Sequence, residues 1–319
     1  RLEGDFYDSQ SIDLLLNVPV PTITGYSTQM QNIGKVQNRG MEFTLNTKNL
    51  TGEFAWSSNF NISFNKNKVL EVGVDGRPIY GSAANANNAF ITKPGYPIAS
   101  FYGYKYIGVF QSEEELAKYP HLSGDKVGDG RYEDVNKDGV LDQNDKTILG
   151  DNNPLFTAGF SNSFSYKNFT LDIQFTGSYG AEVFSFYKRM CGIYHGDRNG
   201  MIEQLGRWQS KDQPGDGIHF RPTRTPSGWQ RDPSSAWVQD ASYLRLRNLT
   251  LGYNFDQKVL DKMKMKGLRL YVTGQNLFTI TNYVGYDPET SSESGLAQGG
   301  DYLGYPAARS FIIGANITF

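Results

Sequence analysis

The residues with the clearest chemistry lie together in Asp134-Val-Asn136-Lys-Asp138-Gly139-Val140-Leu-Asp142-Gln-Asn-Asp145. Side-chain oxygens at the first, third and fifth positions, Gly at the sixth, a backbone carbonyl at the seventh and carboxylates at the ninth and twelfth follow the spacing of an EF-hand calcium loop. Ca²⁺ takes about six to eight hard oxygen ligands, and a Gly permits the sharp turn between them. The expected ligands are the side chains of Asp134, Asn136, Asp138, Asp142 and Asp145 and the carbonyl of Val140. Two features depart from the pattern. Asp145 has a shorter arm than the usual Glu, and no helical sequence flanks the loop. The functional reading is a structural Ca²⁺ that stiffens a long loop; the plainer one is an Asp/Asn-rich turn that holds no ion.

Other candidates are weaker. Trp208, Trp229 and Trp237 lie in long polar segments with Tyr187, Tyr194, Tyr243 and several Arg residues. Flat aromatic faces beside polar forks suit a sugar or peptide site, so the three Trp are candidate substrate-binding residues, with loop packing as the alternative. The three histidines, His121, His195 and His219, are not placed by sequence with any nucleophile. No catalytic residue is assigned, and the chain is not expected to be an enzyme. A glycoside hydrolase would need two carboxylates across a sugar, and the Asp residues of the 134–145 loop are better used as calcium ligands. A formal net charge of -2, no phosphate-cradling Gly loop and no basic-aromatic stripe argue against nucleic acid. Lys258, Lys262, Lys264 and Lys266 read as a solvated turn.

The elements that carry these loops are strands. In Arg309–Phe319 the apolar residues Phe311, Ile313, Ala315, Ile317 and Phe319 alternate with Ser310, Gly314, Asn316 and Thr318, and only Ile312 breaks the rule. Period two makes a strand with one apolar and one wet face. The pattern recurs along the chain, predicting about ten strands. They cover 2–16, 35–47, 54–64, 89–92, 98–110, the hairpin pair 156–166 and 169–179, then 242–255, a ninth around 268–272, and the last. Tyr102, Tyr104 and Tyr106 share a face in the fifth. A parity shift near Arg247 predicts a bulge in the eighth.

The predicted connections alternate long and short, with the short ones near 48–52, 94–97, 167–168 and 256–266. An antiparallel outer-membrane barrel has this asymmetry, with short periplasmic turns and long extracellular loops. With 38% hydrophobic residues, 14% aromatics and 35 Gly, the composition suits a sheet with one apolar face and many turns. No apolar run is long enough for a membrane-spanning helix. One cysteine, Cys191, excludes a disulfide framework. The expected fold class is therefore all-β, an antiparallel transmembrane β-barrel. The rival is a secreted calcium-binding β-sandwich adhesin or lectin, in which Phe311 and Ile313 would be sealed between two sheets.

Several blocks together resemble the SusC/RagA family of TonB-linked (TonB-dependent) outer-membrane transporters of Bacteroidetes. They are Asn32-Ile-Gly-Lys-Val-Gln-Asn-Arg-Gly-Met-Glu-Phe43, Asn59-Phe-Asn-Ile-Ser-Phe-Asn-Lys-Asn-Lys68, Ser100-Phe-Tyr-Gly-Tyr104, Asp134-Val-Asn-Lys-Asp-Gly139, Tyr243-Leu-Arg-Leu-Arg-Asn-Leu-Thr-Leu-Gly-Tyr253, Gly274-Gln-Asn-Leu-Phe278 and Gly285-Tyr-Asp-Pro-Glu289. The resemblance implies a plugged barrel of about 22 strands, of which residues 1–319 would be the C-terminal part, the N-terminal plug lying outside this chain. It also implies TonB as energy source, acting through that N-terminal part, and a SusD-like surface lipoprotein over the extracellular mouth. Outer-membrane lipid would surround the barrel, and the cargo would be oligosaccharide or peptide.

Overall fold

In the computed structural model, residues 1–19, 28–73, 76–83, 86–192, 199–222, 232–289 and 295–319 are described. Three long strands come first: β1 (Leu2–Pro19), β2 (Thr28–Leu50) and β3 (Phe54–Glu71). Six short strands follow, β4 (Ile79–Ala83), β5 (Ala86–Thr92), β6 (Ser100–Gly103), β7 (Tyr106–Val109), β8 (Gly130–Tyr132) and β9 (Thr147–Gly150). Next are β10 (Phe156–Tyr166) and β11 (Phe169–Tyr179), then short β12 (Glu182–Ser185) and β13 (Val238–Asp240), then β14 (Tyr243–Asn254) and β15 (Gly267–Thr281). Two-residue β16 (Gly300–Asp301) precedes the last strand, β17 (Ser310–Thr318).

The long strands form one eight-stranded sheet in the order β1-β2-β3-β10-β11-β14-β15-β17. Every neighbouring pair is antiparallel. Sequence neighbours are spatial neighbours throughout, as expected of an up-and-down meander. The sheet is open, with β1 and β17 as its edges. The predicted bulge is present: the β14–β15 register slips between Leu246 and Asn248, and the β11–β14 register slips at the same level.

Two predicted strands do not join this sheet. The segment around Ala89–Thr92 is β5, and the expected strand over 98–110 splits into β6 and β7; all three belong to small separate sheets. Tyr102, Tyr104 and Tyr106 therefore do not line one strand face. Tyr104 is fully buried, and β6 and β7 pair with different partners. The 94–97 turn is accordingly not one of the short connections. It docks against the far end of β3, where Val69 N–H donates to Tyr96 O (2.8 Å) and Gly95 N–H donates to Val69 O (2.9 Å). Removing two strands leaves the parity unchanged. The short connections that remain, 51–53, 167–168 and 255–266, share one end of the sheet.

The long connections gather at the other end and make their own core. Phe90, Phe101, Phe184 and Phe186 are fully buried there beside Trp237. β12 pairs with β13 from its own connection and, in parallel, with β16 from the last one. Separate long connections are thereby knitted together. This is the largest apolar cluster among the described residues; a smaller one joins Val36 and Val69 of the long sheet to Val72 and to Ile79 of β4.

Candidate functional site: a polar wall behind an apolar belt

The two faces of the sheet meet different environments. On one, Phe54, Phe60 and Phe64 of β3 align with Tyr166, Phe160 and Phe156 of β10. The row continues through Phe169, Leu171 and Ile173 of β11, Leu249, Leu251 and Tyr253 of β14, and Leu270 and Val272 of β15. On β17, Phe311 is 72% exposed and Ile313 84%. Nothing among the described residues covers Phe311 and Ile313, so the sandwich reading, which needs both residues sealed, does not describe this sheet. From Phe54 to Phe64 the belt runs about 34 Å along the strand. Tilted by about 40°, it stands about 26 Å tall, the height of a barrel's lipid-facing band.

Aromatic residues collect at both belt margins. Near the short turns, Phe169 packs on Tyr253 and Tyr253 on Phe255, with ring centroids 4.8 and 5.1 Å apart. At the other margin Phe64, Phe156 and Tyr179 form a chain of contacts at 6.0 and 5.4 Å. Rings at such positions sit where hydrocarbon meets water. Asn162 and Ser58 interrupt the belt and are satisfied within it: Asn162 Oδ1 accepts from Trp56 Nε1 (2.9 Å) and Ser58 Oγ (2.7 Å).

The opposite face is polar from edge to edge. Ser63 donates to Glu42 (3.2 Å), Asn59 to Asn46 (2.6 Å) and Ser163 to Asp172 (2.6 Å), and the hydroxyls of Thr250 and Thr273 lie 2.8 Å apart. Large side chains on this face lie down across glycines of the next strand. A Cβ on Gly40 would fall 2.5 Å from Tyr7 Oη, and one on Gly314 would fall 2.3 Å from the Tyr271 ring. These glycines are required by close approach, not by φ, and they keep the wall smooth.

At the long-connection end of the wall, a buried charge cluster holds the last connection in place. Arg245 on β14 is 3% exposed. Its Nη2 donates to Asp287 Oδ1 at 2.6 Å, its Nη1 pairs with Glu289, and its Nε donates to Thr279 Oγ1 at 2.8 Å. Arg247 Nη2 and Tyr243 Oη both donate to Glu289 Oε1, at 2.5 and 2.6 Å. The free side of Asp287 accepts the Ala307 N–H at 2.9 Å. Burial pushes the Asp287 carboxyl up, but the Arg245 hydrogen bond, two backbone N–H groups and the Arg245 charge outweigh it and hold it below the usual range. Glu289 behaves alike: burial raises it, and Tyr243, Arg247 and Arg245 bring it below its ordinary value. No role for this cluster emerges from the sequence reading, although two Arg at alternate positions of a strand with a wet face are a visible signal.

The calcium-loop residues fold onto their own backbone. Asp134 accepts the N–H groups of Lys137 (2.6 Å) and Gly139 (2.9 Å), Asn136 accepts that of Asp138 (2.9 Å), and Asp138 accepts that of Val140 (2.9 Å). Asp142 caps Asn144 N–H at 2.7 Å. Asp145 is fully buried and accepts Val135 N–H (2.9 Å) and Asp142 N–H (2.8 Å) across the loop. Gly139 takes φ +82°, the left-handed region the turn demands. Among the described residues, no three His, Cys, Asp or Glu side chains converge so as to hold a metal ion. The expected donors thus line one loop, with their carboxylates turned to backbone N–H groups.

The aromatic candidates are not brought together. Trp237 is 2% exposed in the loop core, against Phe220 at 6.2 Å, and Trp208 packs half-buried at the edge of the same core. Trp229, Tyr194 and His195 lie outside the described residues. His219 is held by Asp216, its Nδ1 2.5 Å from Oδ2. Lys258 and Lys262 lie within an exposed helix, Gln257–Met263, in the third short connection, Lys264 caps it and Lys266 follows.

No protein-family profile matches the chain. TonB-dependent receptor P3 of Formosa agariphila is 36% identical over 331 aligned residues, which take in 100% of this chain and 32% of the relative. TonB-dependent receptor SusC of Bacteroides thetaiotaomicron is 29% identical across 100% of this chain and 30% of its own length. Among solved structures, that of the RagAB peptide transporter superposes with a TM-score of 0.80 at 22% identity, covering 100% of this chain and 33% of that one. The chain thus spans about a third of the length of the relatives it matches. TonB-dependent receptors of this kind are outer-membrane proteins, and an apolar belt backed by a polar wall is what that location demands. Over its whole length the chain is a relative of the SusC/RagA-type TonB-dependent receptors, and its open sheet has the fold of part of their barrel.

Proposed function

We propose that this chain is the C-terminal barrel portion of an outer-membrane importer that works with TonB and with a SusD-like surface lipoprotein. The observation that carries this reading is the pairing of an uncovered apolar belt with a continuous polar wall on the same strands. Lipid cannot hydrogen-bond an open strand edge, so β1 and β17 need further strands to close the barrel. The polar face then lines a water-filled passage. The long connections stand at the extracellular mouth, where they meet cargo and the lipoprotein. Oligosaccharides and peptides are the cargo classes; a peptide transporter with this fold supports the second. Any calcium bound by the 134–145 loop would stiffen the mouth and take no part in transport.

The test uses the full-length receptor purified from outer membranes. It should migrate faster on a gel when unheated, bring down a SusD-like lipoprotein, and carry glycan or peptide identifiable by mass spectrometry. Deleting its gene should abolish uptake of that cargo. A detergent-independent soluble protein, or unchanged uptake in the deletion strain, would reject the reading.

A further inference from the structure

The polar wall carries one arginine in a seat built for it, with no ion-pair partner among the described residues. Arg269 of β15 reaches across β14 at Gly252 to β11, where its Nη2 donates to Thr170 Oγ1 at 3.3 Å. A Cβ on Gly252 would sit 2.9 Å from both Nε and Nη2 of this arginine. The missing side chain therefore makes the path for the guanidinium. Arg269 Nε is shielded from solvent and has no hydrogen-bond partner, and no ion pair involves Arg269 among the described residues. A guanidinium placed so, with a donor unspent, costs free energy unless an acceptor arrives.

The seat opens onto a recess of about 530 Å³ at the short-turn end of the wall, lined also by Lys48, Ser165, Asn254 and Asp172. Among the described residues Asp172 is the sole carboxylate of the lining, and Ser163 Oγ already donates to it at 2.6 Å. Two cations, Lys48 and Arg269, against one anion leave the lining at a formal +1. One carboxylate neutralises that charge, and its two oxygens match the fork of a guanidinium. A doubly charged phosphate would overshoot and face Asp172.

We propose that this recess binds a carboxylate. Two sources carry that chemistry. One is an Asp or Glu side chain from another part of the same polypeptide packed inside the barrel, a source that rests on the function proposed above. The other is an acidic solute in transit.

The test is zero-length carbodiimide coupling on the folded full-length receptor, which joins the Lys48 amine to a carboxylate in contact with it. Peptide mass spectrometry reads the linked partner, with and without added triglutamate as the solute probe. A link from Lys48 to an Asp or Glu beyond residues 1–319 assigns the internal source. A link to triglutamate, formed only when it is added, assigns the solute. In either case Arg269→Gln should reduce the yield at least tenfold while the unheated gel shift is kept. Coupling of Lys48 only to Asp172, no coupling, or yields unchanged in Arg269→Gln overturns the proposal. Loss of the gel shift in the unmutated receptor would instead count against the barrel reading itself.

Discussion

Replacing Arg245 should loosen the last long connection while the barrel stays folded. Arg245→Met keeps the apolar stem but removes every donor to Asp287 and Glu289. Asp287, with a side chain 10% exposed, is left as a buried carboxylate held only by the N–H groups of Ala307 and Glu289. Stripping one partner from a buried ion pair costs about 3–5 kcal/mol. Glu289 is 29% exposed and keeps Arg247 and Tyr243, so the lower end of that range applies. Local opening of the connection should then become roughly 100-fold more frequent, since about 1.4 kcal/mol is a factor of ten. The Ala307 and Glu289 amides, both bonded to Asp287, are direct reporters in hydrogen exchange. The pairing of β12 with β16 and the Tyr283–Asp301 contact do not involve Arg245, so amides near Gly300 should change little. Arg245→Lys should fall between, because a point charge cannot fork to both carboxylates. The pH dependence follows from the lowered pKa values of Asp287 and Glu289. Their contribution is complete above the ordinary carboxylate range of about 4. It is lost as pH falls through the lower folded values. Protection should stay level from neutral pH to about 5, fall below about 4, and show a smaller step in Arg245→Met, where Glu289 still keeps Tyr243 and Arg247. Exchange of the two reporter amides within threefold of the parent in Arg245→Met would refute the reasoning.

Three further outcomes are expected. Asn162→Leu removes the acceptor of Trp56 Nε1 and Ser58 Oγ; leaving these donors unpaired should cost about 1–3 kcal/mol in reversible unfolding, and adding Ser58→Ala with Trp56→Phe should recover most of it. A single mutant as stable as the parent would show that this polar cluster does not matter. Ile313→Lys puts a charge on the lipid face, at 84% exposure, and should cost about 2–4 kcal/mol of folding into bilayers; Asn316→Lys, on the opposite face of the same strand, should cost far less, and equal costs would mean the faces are misassigned. Ca²⁺ titration of the folded receptor should release heat that Asp134→Ala abolishes, since Asp134 closes the loop onto Lys137 and Gly139; identical heats in the two proteins would eliminate calcium from the 134–145 loop.

The sheet was legible because its strands solve one problem over and over. Phe54 to Phe64, Phe156 to Tyr166 and Phe311 to Ile317 each alternate against small polar residues, and each lies in the sheet. The 89–92 and 98–110 segments misled for a physical reason. Phe90, Phe101 and Val109 are apolar because they fill the core of the long connections, not because they face lipid. Short apolar stretches fit both purposes, and only length separates them: β5, β6 and β7 are seven, four and four residues long. Trp237 is as ambiguous, since a ring buried in a loop core and a ring offered to a sugar look alike in one dimension. The Arg245 cluster was hidden because its partners are 42 and 44 residues away in sequence.

The wall follows from the belt. A strand that gives one face to hydrocarbon has only its alternate residues left for the inside, and small polar types there keep the passage wide. Bulky inner residues are admitted where the next strand supplies a glycine, as Gly40 does for Tyr7, Gly314 for Tyr271 and Gly252 for Arg269. Tyr7 and Tyr271 lie flat, finishing the wall without narrowing it. Half-buried Arg269 lies flat too, yet it meets no carboxylate among the described residues, whereas fully buried Arg245 meets two. The same folding rule places both side chains. A carboxylate partner separates the arginine that fixes a loop from the one that has only the Thr170 hydroxyl and the Tyr271 ring beside it.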